Sequence, residues 1–88
     1  MDEKTLEKYA ALLLHLDTAR TYSFAANMAL DRVADLHSQF AMNTISDGEY
    51  GALLSETLGF QRKLMHEVFE NIQAAHDKAA ELRNGEKI

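Results

Sequence analysis

The sequence predicts an all-α protein, a long antiparallel helical hairpin whose copies pair into a four-helix bundle. Three observations lead there. The 88 residues include no proline and only four glycines, all in the second half, so almost nothing interrupts a helix. Turn-forming residues gather in one place, from Asn43 to Glu49. On either side of that cluster, apolar residues recur at spacings of three and four, the period of a helix face.

Residues from Glu3 to about Met42 contain neither glycine nor proline and read as one helix of about 40 residues, roughly 60 Å long. Two apolar registers run along it. Leu6, Tyr9, Leu13 and Leu16 form the first, which if continued would place Arg20, Ser23 and Asn27 in the seam. The second, Ala19, Tyr22, Ala26, Ala29, Val33, Leu36 and Phe40, has no strongly polar member. Joining them requires a repeated spacing of three through Leu16, Ala19 and Tyr22. That is a stammer, or else a kink near residues 17–21, where an aspartate and two threonines weaken the helix, and the expectation is one continuous but distorted helix rather than two helices with a break.

The turn is expected at residues 43–47. Ser46 precedes Glu49 by three residues, the spacing of a capping box, which places the start of a second helix near residue 47. That helix should run to about residue 83, ended by Asn84-Gly85 in a left-handed cap, with Arg83 at the negative end of the helix dipole and residues 84–88 frayed. Its seam reads Leu54, Leu58, Gln61, Met65, Val68, Ile72, Ala75, Ala79 and Leu82, with Gln61 the sole polar member. Leu53, Phe60 and Leu64 flank this seam on one side and Phe69 on the other. The apolar sector then covers roughly half the helix circumference, too wide for one neighbour. A single domain spanning 1–88 that forms a homodimer, or completes its bundle with another protein, follows from that width.

Composition narrows the function. With no cysteine there is no disulfide, thiolate nucleophile or sulfur-ligated metal. The net charge of −5 is spread over both halves, without a basic cluster, so neither direct nucleic-acid binding nor anionic-membrane binding is expected. The start, Met1-Asp2-Glu3, is acidic where a targeting peptide carries positive charge, and no apolar run exceeds the six residues Tyr9 to Leu14. These features fit a cytoplasmic protein.

Chemistry-bearing patterns are sparse. No histidine follows a glutamate by three residues, the arrangement that places two metal ligands on one inner face of a bundle. His66, Glu70, Gln73 and Asp77 share a stripe of helix 2, but that stripe lies away from the seam and reads as a solvated face. His37 and His76 flank their apolar sectors, where protonation could loosen packing at the bundle edge. Asp47-Gly48-Glu49-Tyr50-Gly51 is too short and too acidic to cradle phosphate. No catalytic residue, cofactor or metal is expected.

Phe24 and Met28, four residues apart, continue the stripe of Leu6, Ala10 and Leu13 on the side opposite Tyr22, Val33 and Phe40. They are either rotated into a dimer core or form a docking patch for a partner helix, for which phenylalanine and methionine are suited. Gln61 either sets register against a symmetry mate or reaches out of the bundle edge. The function expected is a non-catalytic, small acidic protein acting through protein–protein contacts as an adaptor, chaperone or inhibitor. The alternatives are a bundle that binds a small ligand or metal between its helices, and a purely structural oligomerisation unit.

Overall fold

The computed structural model describes residues 2–86. They form two helices, α1 (Glu3–Ala41, 39 residues) and α2 (Asp47–Glu86, 40 residues), packed against each other as a hairpin. The result is a rod of 65 × 15 × 14 Å. No strand occurs among the described residues.

Each helix boundary has a local cause. At the start of α1 the Asp2 carboxylate accepts the Thr5 backbone N–H at 2.7 Å, satisfying a donor that the first turn leaves without a helical partner. That bond holds the Asp2 carboxyl below its ordinary 3.8, so this cap is complete above that pH and is lost as the solution is acidified. At the far end Asn43 takes a left-handed φ of 59°. The Thr44 N–H then reaches Gln39 O at 2.9 Å and the Asn43 N–H reaches Phe40 O at 3.0 Å, the two bonds of a Schellman cap. The Thr44 hydroxyl also donates to Gln39 O, at 2.8 Å.

Ser46 caps α2 by accepting the Glu49 N–H at 3.2 Å. The return bond differs from the expected one. The serine hydroxyl donates to Glu49 Oε1 at 3.3 Å, so the two residues engage through their side chains as well. Helix α2 also runs past its expected end. Asn84 and Gly85 are helical and no glycine has a positive φ among the described residues, so the left-handed cap is absent. Nothing in an Asn-Gly pair forbids helical φ; it only lowers the preference for it. Of the tail 84–88, residues 87 and 88 lie outside the described residues.

Helix α1 is unbroken through 17–21, and the two registers do not join through a stammer. One heptad is buried or half-buried from end to end, Thr5, Lys8, Leu12, His15, Ala19, Tyr22, Ala26, Ala29, Val33, Leu36 and Phe40, with Ala11, Thr18, Ser23, Ala25 and Gln39 half-buried beside it. The heptad residues are the a and d positions of a straight seam. Leu6, Tyr9, Leu13 and Leu16 belong instead to rows b and e beside it, and all four are exposed. At 17–21 the Thr21 hydroxyl bonds back to Asp17 O at 3.0 Å and Arg20 pairs with Asp17 at 2.8 Å, both on the solvated side.

The inward stripe of α2 is Tyr50, Leu54, Thr57, Gln61, Leu64, Val68, Asn71, Ala75, Lys78 and Leu82. It shares Leu54, Gln61, Val68, Ala75 and Leu82 with the expected seam. The other positions are displaced by one residue, which leaves Leu58 (43% exposed) and Ile72 (49%) on the e row. His15 bonds Asn71 and Phe40 stacks on Tyr50 with ring centroids 4.4 Å apart, pairs whose numbers total 86 and 90. Residue i of α1 therefore lies level with residue about 88 − i of α2.

Leu36 is fully buried, at 0% exposure, and anchors the closed end. Leu36→Ala should lower stability by about 2–5 kcal/mol in chemical denaturation. Asn43→Val, a β-branched residue forced to positive φ, should lower it by roughly 1–2 kcal/mol. A neutral result for the second would mean that the turn does not need its left-handed residue.

Candidate functional site

The hairpin has two apolar surfaces outside its seam, one on each flank. The first is built from rows b and e of both helices. Leu16 and Leu30 on α1 lie level with Ile72 and Leu58 on α2, because each pair of numbers totals 88, and all four are exposed. Leu6, Tyr9 and Leu13 widen it on the α1 side and Phe69 on the α2 side, while Met65 is half-buried within it. Its charge is as distinctive as its apolarity. Between Glu3 and Arg83 no acidic residue occupies row b or e of either helix, although the chain carries 14 acids in all. The charged groups there are Arg20, Arg62 and Arg83 on the outer rows.

The second surface is a groove of about 530 Å³ on the opposite flank, open to solvent and lined by Ala25, Met28, Ala29, Leu53, Thr57 and Phe60, with Arg32 and Glu56 at its walls. Met28 is 58% exposed and Phe24, one turn earlier on the outermost row, is 68% exposed. The groove takes in Met28 and leaves Phe24 outside it. The wheel of α2 places Leu53 and Phe60 beside the seam, but only the pairing of the helices brings them to Met28. Acidic residues surround this groove: Asp35, Glu49 and Glu56 toward the closed end, Glu67 and Glu70 beyond Phe60, against two cations, Arg32 and Lys63.

Of the residues expected in an oligomer seam, Leu54, Gln61 and Val68 face α1, whereas Leu58 and Ile72 face solvent on the first surface, with Met65 between the two. Polar groups inside the hairpin are fewer but specific. His15 Nδ1 lies 3.1 Å from Asn71 Oδ1, and Asn71 Nδ2 donates to Glu67 O at 2.8 Å. This pair gives no sequence signal, since His15 and Asn71 lie 56 residues apart and outside the seams read from apolar spacing. At the closed end the Tyr50 hydroxyl is 3.5 Å from His37 Nδ1.

The stripe of His66, Glu70, Gln73 and Asp77 is solvent-facing, with His66 Nε2 3.1 Å from Glu70 Oε1 and Gln73 donating to Asp77 at 3.0 Å. Among the described residues no three histidine, aspartate or glutamate side chains converge as metal ligands. No helix among them is long and apolar enough to cross a membrane. Comparison with protein-family models, with curated proteins and with solved structures finds no match to this chain.

The His15–Asn71 pair is open to a double-mutant cycle. Replacing either residue alone by leucine leaves the other half-buried without its partner, so each single change should destabilise more than the double one. A coupling of about 0.5–1.5 kcal/mol is expected from thermal or chemical denaturation. Additive effects would show that the bond contributes nothing to the seam.

Proposed function

We propose that this chain is a non-catalytic interaction protein that works as a homodimer of hairpins and holds another protein against its surface. One observation carries the reading: the hairpin leaves about half of its large apolar side chains exposed. Leucines, phenylalanines, a tyrosine, an isoleucine and methionines stand exposed along the rod, while four of the seven buried hydrophobic residues among the described ones are alanines.

The area supports the same reading. The chain exposes 6685 Å². A compact monomer of 9.9 kDa would expose about 5,200 Å² by the usual mass scaling. The surplus of roughly 1,500 Å² is ample for a standard interface, which takes about 800 Å² from each partner. Two rods laid side by side remove such a surplus, and the outcome is a four-helix bundle.

The second partner is assigned to the groove at Met28 and Phe60, with Phe24 beside it. Its acidic surround favours a basic, amphipathic helix whose apolar side chains enter the groove while its cations meet Glu56 and Glu67. An adaptor, chaperone or inhibitor of a basic protein fits this surface.

Sedimentation at micromolar concentration should give about 20 kDa, twice the 9.9 kDa chain. A stable monomer of 9.9 kDa would overturn the homodimer. Phe24→Ala combined with Met28→Ala should leave the thermal midpoint nearly unchanged, since both side chains are exposed in the hairpin. A fall of about 10 °C or more would place them in a core instead.

A further inference from the structure

We infer that the acid-free flank, carrying Leu13, Leu16, Leu30, Leu58, Phe69 and Ile72, is the face on which a second copy of this chain sits. The inference rests on the homodimer proposed above and adds which of the two apolar flanks makes it.

The argument is electrostatic as much as hydrophobic. Two copies each carrying a net charge of −5 repel as they approach, and the repulsion is worst where acids meet acids at close range. Across the Met28 and Phe60 groove, self-association would bring Glu56, Glu67 and their neighbours against one another. Across the b and e rows it would not, because no acid lies there between Glu3 and Arg83. The arginines of those rows stand on the margin of the face: Arg20 is paired with Asp17 of its own helix at 2.8 Å, while Arg62 and Arg83 remain hydrated or reach acids on the partner's outer rows.

Geometry agrees with this choice. The e row is the one row of each helix directly beside the seam on this flank. Leu16 and Ile72, then Leu30 and Leu58, form matched apolar steps along the rod with Met65 between them. Laying two such faces together puts the e rows of four helices around one axis and adds large side chains to a centre that the hairpin fills with Ala19, Ala26 and Ala75. The other flank would bring Asp35, Glu49, Glu56, Glu67 and Glu70 toward a copy of themselves, with only Arg32 and Lys63 nearby to offset them.

Leu30→Glu with Ile72→Glu places acids on that face at positions already half exposed in the hairpin, so the helices should survive. Sedimentation of this variant should give 9.9 kDa, with its far-ultraviolet helical signal retained. Met28→Glu with Phe60→Glu should leave the dimer intact. A dimer that persists in the first variant, or dissociates in the second, would overturn the choice of face while leaving the homodimer standing. A monomeric unmodified chain would overturn both.

A second measurement needs no substitution. Phe69 lies on the proposed face and Phe24 off it, and in the isolated hairpin they are almost equally exposed, at 64% and 68%. Hydroxyl-radical footprinting at dimer-forming concentration should label Phe69 several-fold less than Phe24, and the difference should vanish on dilution to monomer. Equal labelling at both concentrations, in a sample that sediments as a dimer, would exclude this face.

Discussion

A helix in a two-helix hairpin has one neighbour, and one neighbour covers only a narrow stripe of its circumference. Everything distinctive about this molecule follows from how that stripe is filled. On α1 its middle is Ala19, Ala26 and Ala29, and on α2 it includes Ala75, all buried. Alanine lets the two backbones approach closely but removes little apolar surface from water. Fully burying a leucine or phenylalanine is worth about 1.5–3 kcal/mol, and most residues of that size here stand outside the seam. The hairpin thus fixes the geometry of its helices while leaving many of its large apolar side chains exposed.

The same constraint explains which parts of the structure were legible in the sequence. Helix lengths, the single turn and the serine cap could be read because they depend on local chemistry: missing prolines, clustered turn formers and the Ser46 to Glu49 spacing. The inward stripe could be read only in part: Ala19 to Phe40 on α1 and Leu54, Gln61, Val68, Ala75 and Leu82 on α2 were legible, whereas at the other positions pattern reading selects the more apolar row. On α2 the true seam alternates Leu54, Gln61, Val68 and Ala75 with Thr57, Leu64, Asn71 and Lys78, and three of those four alternates are polar. One residue further on, Leu58, Met65, Ile72 and Ala79 are all apolar, so periodicity favours them. On α1, Leu6, Tyr9, Leu13 and Leu16 draw the eye from the Thr5, Lys8 and His15 that face α2 in the same half. Both displacements go to the same flank of the hairpin, since the misread rows are the b and e rows of one face.

That coincidence bears on the interaction surfaces. An apolar row beside the seam on one helix alone would be an accident of composition, whereas rows on both helices that lie level with each other form a surface. The acids separate the two flanks further. They occupy rows c, f and g almost exclusively between Glu3 and Arg83, so one apolar surface is free of them and the other is ringed by them. Phe24, Met28 and Phe60 therefore sit in a different electrostatic setting from Leu16, Leu30 and Ile72, although no hydropathy scale distinguishes the two groups. The two apolar surfaces thus differ in charge as much as in position.

Seam polarity is graded along the rod. Toward the turn the inward positions are Val33, Leu36, Phe40, Tyr50 and Leu54, closed by the stacked Phe40 and Tyr50 rings. Toward the termini they include Thr5, Lys8, His15, Asn71 and Lys78, where two ammonium groups and a histidine–asparagine bond replace apolar contacts. A half-buried lysine keeps its charge in water and buries only its stem, so this end of the seam holds the helices together weakly. The outer rows run the opposite way, with Leu6, Tyr9, Leu13 and Leu16 gathered at the same end. Opening of the isolated hairpin would begin there, while a second copy laid on the acid-free flank would cover those residues and close it. In such a dimer, association and the completion of the fold at the terminal end are one process.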